Sequence, residues 1–357
     1  MSLLERLKKA GSVKYSETLS ESKFFNEKDM IPTDVPIINM ALSGKLDGGL
    51  TPGLTFLAGP SKHFKSLLGL LMVKAYMKKY KDAVCLFYDS EFGITPEYIA
   101  SNGIDGSRVL HIPVEHIEQL KFDITKRLEE INRGERVIVF IDSVGNLASK
   151  KEVEDALEEK SVADMSRAKA LKSLFRIITP HFTTKDIPCI VINHTYQEMG
   201  MFPKQVMSGG TGPVYSSNQI FFISKAQEKD GTDLAGWTFT INIEKSRYVR
   251  EKSKFPFTVT FEGGINKWSG LLDIALDLGY VKKPSNGWYS RVDMETGEIE
   301  EKKFREKDTN TADFWNPILM NKKFQEDVKA RFMVSNTKLL SEDSTIDEDV
   351  NELMSKE

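Results

Sequence analysis

Between residues 31 and 268, short apolar runs (TFLAG, AVCLFYD, RVLHIPV, VIVFID, PCIVINH, QIFFISK) recur along the chain. Between several of them lie helix-patterned stretches such as SLLGLLMVKAYMKKY and EQLKFDITKRLEEINRG. Runs that are apolar at nearly every position must be buried on both faces. Alternating with helices, they predict an α/β core: a mostly parallel central sheet flanked by helices. Two later runs, WTFTINIEKSRY and KFPFTVTFEGG, alternate apolar with polar residues instead, and predict an antiparallel extension of that sheet.

The flanks differ in character. Residues 1–30 are polar and helix-friendly, with Leu3, Leu4 and Leu7 at helical spacing. So few apolar side chains cannot form a core, so this arm must dock, either on its own domain or on a neighbouring subunit. Residues 269–335 read as a small α+β C-terminal domain, opening with GLLDIALDLG, a helix stopped by Gly279. Residues 336–357 read as a disordered acidic tail, in which SEDSTIDEDVNELMSKE carries seven acids (Glu342, Asp343, Asp347, Glu348, Asp349, Glu352 and Glu357) against Lys356. At 357 residues the chain is long enough for two or so domains. Its 49 basic and 52 acidic residues give a formal charge of −3, which excludes a histone-like protein that coats nucleic acid by bulk charge. Any such site must be a local basic stripe. Cys85 and Cys189 sit inside apolar runs and read as buried free thiols, which suits a reducing, cytoplasmic compartment. The N-terminus is charged within five residues, unlike a secretory signal, and no apolar run approaches a membrane span.

The run TFLAG passes into GPSKHFKS and then into a helix. This is a Walker A arrangement with one departure: Gly59, Pro60, Ser61, Lys62, His63, Phe64, Lys65, Ser66 and Leu67 form a turn at a strand end that aims backbone N–H groups at phosphate oxygens. Lys65 reaches the terminal phosphates and the Ser66 hydroxyl ligates Mg²⁺. The departure is Phe64, which stands where the pattern has a second glycine. Phenylalanine tolerates positive φ poorly, so either φ is negative there or this is not a phosphate loop. Asp142 ends the buried run VIVFID, the Walker B position, from which it holds magnesium through water. Asp89 and Glu91 follow CLFY, where a carboxylate can orient and deprotonate an attacking water. Asn193 and His194 end another run at the same sheet edge.

A further helix, MSRAKALKSLFR, places Lys169, Lys172 and Arg176 at i, i+3 and i+7, with Leu171, Leu174 and Phe175 on another face. Such a stripe is either solvated surface or a contact face. Two long polar loops join it, about 150–165 and 195–212. The second carries four glycines, Lys204, and apolar side chains at Met199, Met201, Phe202 and Met207 that read as exposed.

Taken in order, GPSKHFKS, FYDSEFGITPEY, VIVFIDS, VINH, EKSR, GLLDIALDLG and GWYS resemble the RecA/UvsX family of strand-exchange recombinases over almost the whole chain, and within it the UvsX recombinases of T-even-like bacteriophages. The resemblance implies a DNA-dependent ATPase using ATP and Mg²⁺, which forms helical filaments on single-stranded DNA, pairs it with homologous duplex and exchanges strands. It implies that Lys65 and Ser66 bind phosphate and magnesium, that Glu91 activates water, that Tyr98 stacks on adenine and that Asp142 is the Walker B acid. His194 stands where bacterial RecA has a γ-phosphate-sensing glutamine. Lys245 and Arg247 match basic residues that reach a neighbour's ATP, and Phe261 sits where an aromatic from the neighbour covers the base. Lys169 and Arg176 match phosphate-contacting positions for DNA, and the loop apolar residues would wedge between bases. Lys172, Lys204, Met199, Phe202, Gly209 and Gly210 complete the expected DNA face. A loader protein, a single-strand-binding protein, no membrane, and the host cytoplasm for a phage-encoded chain are further expectations. The alternatives are a hexameric RecA-fold helicase and a non-hydrolysing DNA-coating protein.

Overall fold

The computed structural model describes residues 1–13, 16–22, 29–158, 165–198, 203–230, 232–293 and 296–334. The acidic tail, Met199, Met201 and Phe202 lie outside the described residues. The elements run α1 (Leu3–Ala10), α2 (Pro36–Ser43), β1 (Gly53–Ala58), α3 (Lys65–Lys79), β2 (Val84–Asp89), α4 (Pro96–Ser101), β3 (Val109–Pro113), α5 (Ile117–Glu130), β4 (Val137–Asp142), α6 (Lys150–Leu157), α7 (Ser166–Thr184) and β5 (Pro188–Asn193). They continue with β6 (Thr195–Glu198), β7 (Lys204–Met207), α8 (Thr211–Ser216), β8 (Gln219–Asp230), β9 (Asp233–Ser246), β10 (Lys254–Thr260), β11 (Gly264–Ile265), α9 (Leu271–Asp277), β12 (Val281–Ser285), β13 (Trp288–Arg291), β14 (Phe304–Arg305), α10 (Ala312–Met320) and α11 (Lys322–Phe332).

A nine-stranded sheet in the order β11-β10-β9-β8-β1-β5-β4-β2-β3 organises the chain. Every pairing from β8 to β3 is parallel. The pairings β8–β9, β9–β10 and β10–β11 are antiparallel, as the alternating runs predict. Side chains of the inner strands divide by parity, because successive residues point to opposite faces. Leu86, Tyr88, Val139, Ile141, Cys189 and Val191 join the cluster under α5 and α7. Cys85, Phe87, Ile138, Phe140, Ile190 and Ile192 join the cluster under α2 and α3. Both cysteines are buried and free. Two covered faces are the physical reason these strands read as unbroken apolar runs.

The buried aromatics of the C-terminal segment, Phe314, Trp315 and Phe324, belong to the same hydrophobic cluster as α2 and α3. A separate antiparallel sheet, β12-β13-β14, accompanies them. At the other end, α1 is closed by a capping box between Ser2 and Glu5 and buries none of its residues. Leu3, Leu4 and Leu7 are 62%, 53% and 61% exposed. Among the described residues, the leucine face therefore does not dock on its own subunit.

Two stretches expected as loops carry regular structure. Residues 150–157 form α6, whose Ser149–Glu152 capping box starts a helix that a count of polar residues hides. The stretch after His194 is a hairpin, with Thr195 opposite Met207 and Glu198 opposite Lys204. Met207 does not point outward as expected: it is 5% exposed and packs in the cluster under α7, because the hairpin's base lies against that helix.

Candidate functional site

Parallel strands deliver their carboxyl ends to one edge, so β1, β2, β4 and β5 bring their following residues together. From β1 the chain turns through residues 59–64 and enters α3 at Lys65. Phe64 is the N-cap of that helix and has φ 60°. This overturns the expectation of a negative φ: the residue takes the left-handed conformation at this strand-to-helix turn. Phenylalanine holds this left-handed conformation because its ring packs in place, 5.2 Å from Phe239 and 5.9 Å from Phe257 between centroids. That packing offsets strain on the order of 1–3 kcal/mol.

The Lys65 side chain is buried and donates to the Pro60 carbonyl at 2.7 Å. Burial pushes its pKa down, while Glu91 and Asp142 pull it back up. Asp142 is 3% exposed, and its Oδ1 has no hydrogen-bond partner among the described residues. Its pKa is pushed up to about 6, chiefly by burial, with repulsion from Glu91 and Asp89 adding to it; a hydrogen bond from Ser66 and the charge of Lys65 act the other way. A buried acceptor without a donor, beside a hydroxyl and among other carboxylates, fits a hard divalent cation. Among the described residues no group of three or more His, Cys, Asp or Glu could hold a metal. A cation at Ser66 and Asp142 would therefore complete its shell with phosphate and water oxygens.

Glu91 stands on the loop after β2. Asp89 anchors that loop by accepting from the Glu91 and Phe92 N–H groups at 2.9 and 2.8 Å, and its other oxygen lies 3.1 Å from His111 Nε2. Three groups surround Glu91 Oε1: Ser143 Oγ at 2.5 Å, Asn146 Nδ2 at 3.0 Å and His194 Nε2 at 3.2 Å. The His194 hydrogen bond foremost holds the Glu91 carboxyl below its usual range, against burial and with help from Ser143. His194 comes this close because residue 145 is glycine: a Cβ there would lie 2.2 Å from the His194 ring.

Tyr98, on α4, is 38% exposed. With Phe64, Leu67, Asn102, Gly263 and Gly264 it lines a cleft of about 450 Å³ beside the phosphate loop. Phe261 is 64% exposed, on the turn that leads to Gly263 and Gly264, and those two glycines rather than Phe261 line the cleft. Lys245 donates to the carbonyls of Val214 and Ser217 at 2.7 and 2.8 Å, at the end of α8, while Arg247 is exposed. Burial lowers the Lys245 pKa, with Arg247 adding to the effect.

On α7, Lys169, Lys172 and Arg176 are exposed along one stripe, and Leu171, Leu174 and Phe175 are buried. Gly209 and Gly210 both have positive φ in the turn after β7, and Lys204 is exposed at its start. The turn then runs against α7, where a Cβ on Gly212 would lie 2.7 Å from the Lys172 backbone. The expected basic stripe and the end of the second loop thus form one surface.

Three residues of this site carry no sequence signal of their own: Ser143, Asn146 and Arg167. The half-buried Arg167 guanidinium donates to the carbonyls of Leu147, Val144 and Gly145 at 2.9, 2.9 and 2.8 Å, and to Ser208 Oγ at 3.0 Å. It lies on the same helix as the basic stripe, and nothing in spacing separates it from its exposed neighbours.

Comparison with known proteins matches residues 17–266 to the RecA N-terminal domain and residues 268–328 to the C-terminal domain of the bacteriophage T4 recombination and repair protein. The chain is 56% identical to the recombination and repair protein of Enterobacteria phage T4 over 356 residues, covering 99% of this chain and 90% of that one. It is 27% identical to protein RecA of Tropheryma whipplei over 76% of this chain and 61% of the relative. It is 26% identical to protein RecA of Bacteroides thetaiotaomicron over 76% of this chain and 80% of the relative. The nine-stranded core, its phosphate loop and these matches together establish that the chain belongs to the RecA/UvsX family of recombinases.

Proposed function

We propose that this chain is an ATP-dependent recombinase that polymerises on single-stranded DNA, pairs it with homologous duplex and exchanges strands. The observation that carries the reading is the convergence of Lys65, Ser66, Glu91, Asp142 and His194 on one sheet edge, with Glu91 and His194 in direct contact. The names of its relatives, recombination and repair protein and RecA, support the same reading.

The residues divide the work of phosphoryl transfer to water. The loop N–H groups and Lys65 hold the phosphates and offset their charge. Ser66 and Asp142 would hold Mg²⁺, which when bound neutralises charge on the phosphates. Glu91 orients a water and takes its proton as the oxygen attacks the γ-phosphorus. The base sits in the cleft against Tyr98, with Gly263 and Gly264 of the same chain lining that cleft, and Phe261 of the neighbouring subunit is the proposed cover. His194 faces both Glu91 and the hairpin of the DNA face: its carbonyl accepts from the Ser208 N–H at 2.9 Å. Lys245 and Arg247 are the proposed contacts to the next subunit's nucleotide, which requires Lys245 to leave the α8 carbonyls. Self-assembly into a filament, a loader and a single-strand-binding protein complete the proposed partners, and the host cytoplasm the location. No helix among the described residues is long and apolar enough to cross a membrane.

The test is a pairing of turnover and microscopy. ATP turnover should rise on adding single-stranded DNA, and negative-stain images with ATP should show helical filaments that support strand exchange. Closed six-membered rings would instead identify a helicase, and filaments without turnover would identify a DNA-coating protein.

A further inference from the structure

Glu91 does not stand free to accept a proton. Its Oε1 is crowded by the Ser143 hydroxyl at 2.5 Å, the Asn146 amide at 3.0 Å and His194 at 3.2 Å. Three donors on this one oxygen hold the carboxyl group in a fixed orientation and draw negative charge away from it. Each hydrogen bond donated to it also lowers its readiness to take a proton from water. Asn146 differs from the other two in its setting. Its side chain is exposed, whereas Ser143 is buried and His194 is half-buried, and it lies further along the segment between β4 and α6 than Ser143, which directly follows the strand. That segment is bound on its far side by Arg167, which takes the carbonyls of Val144, Gly145 and Leu147, the residues on both sides of Asn146. Arg167 belongs to α7 and lies one helical neighbourhood from the Lys169 and Lys172 stripe. It also reaches Ser208, at the base of the β6–β7 hairpin.

We infer that Asn146 is a positioning residue that restrains Glu91 in the DNA-free protein, and that Arg167 ties this restraint to the DNA-binding face. Nucleic acid seated on α7 and the hairpin shifts the 144–147 segment through Arg167 and withdraws the Asn146 amide. Glu91 then keeps fewer donors, is freer to turn toward the attacking water and accepts its proton more readily. DNA stimulation of turnover is thereby built into a contact between one exposed amide and one carboxylate. The inference rests on the reading of Glu91 as the base.

The test uses the full chain, its ATP turnover measured without DNA and at saturating oligo-dT. Asn146→Ala removes the amide at an exposed position, so folding should survive; thermal unfolding checks this. The expected result is a rise of about tenfold in DNA-free turnover, the size that releasing one hydrogen bond to a charged group gives. The ratio of DNA-saturated to DNA-free turnover falls correspondingly. A merely structural role would lower both rates together and leave their ratio near the parent's. Glu91→Gln, measured in parallel, separates the two levels. If that variant hydrolyses ATP like the parent, Glu91 is not the base and the restraint falls with it. If it is inactive while Asn146→Ala shows DNA-free turnover at or below the parent's, the base stands and the restraint is overturned.

Discussion

Phe64 shows how a local rule is broken and compensated. A phosphate loop asks for left-handed backbone where this chain has a phenylalanine, and the conformation is adopted with φ 60° because the ring packs near Phe239 and Phe257. Two opposed effects decide what Phe64→Gly does. Glycine recovers about 1–2 kcal/mol of left-handed strain, whereas removing a fully buried phenylalanine costs about 3–5 kcal/mol. The ring is only half-buried, so the balance should be a destabilisation of about 1 kcal/mol, seen as a melting point about 2 °C lower. Nucleotide binding should persist, since the loop N–H groups, Lys65 and Ser66 make the phosphate contacts. A variant that melts higher than the parent would show that strain outweighs packing, and one that melts alike but binds no nucleotide would show that the ring shapes the site. The same residue marks a limit of sequence reading. The spacing to Phe239 and Phe257 spans about half the chain, so no local pattern could reveal what holds Phe64 in place.

At the scale of elements, α7 carries three functions on one helix. Leu171, Leu174 and Phe175 pack under the sheet, Lys169, Lys172 and Arg176 face solvent, and Arg167 binds the segment after β4. The first two were legible from 3.6-residue periodicity. The third was not, because an arginine two residues from the stripe differs from its neighbours only in what the fold places over it. Replacing Lys169, Lys172 and Arg176 together by alanine should weaken binding to single-stranded DNA and make its salt dependence shallower by about two in log–log slope. Nucleotide affinity without DNA should stay at the parent's value. An unchanged salt slope in a fluorescence titration would remove the stripe from the DNA face. The short elements after β4 and β5 teach the complementary lesson. Helix α6 and the β6–β7 hairpin were hidden inside polar stretches, since capping and cross-strand pairing need no apolar run.

For the whole molecule, the exposed leucine face of α1 is the feature that a single chain leaves unsatisfied. Leu3, Leu4 and Leu7 form an apolar strip on a helix that buries none of its residues, and in a filament a second copy would cover it. Removing residues 1–30 should therefore yield a folded protein that sediments as a monomer with ATP and DNA, while the full chain forms large assemblies. Equal sedimentation of both would return the arm to its own subunit. What the sequence alone determined follows from short-range rules. Doubly buried strands must be apolar throughout, a strand-turn-helix with Lys65 and Ser66 makes a phosphate site, and acids at strand ends face its edge; these place the fold class, Lys65, Ser66, Glu91, Asp142 and His194 without coordinates. Only the tertiary structure decided which groups touch. That Asn146 and Ser143 bond Glu91, that Asp142 keeps an oxygen orphaned among the described residues, that Arg167 bridges a loop to a hairpin and that Gly263 and Gly264 line the cleft beside the phosphate loop all join residues far apart in sequence. Such contacts depend on how strands are ordered in the sheet and where loops cross its edge. Periodicity records which face a residue presents, and it carries no information about the partner that meets it there.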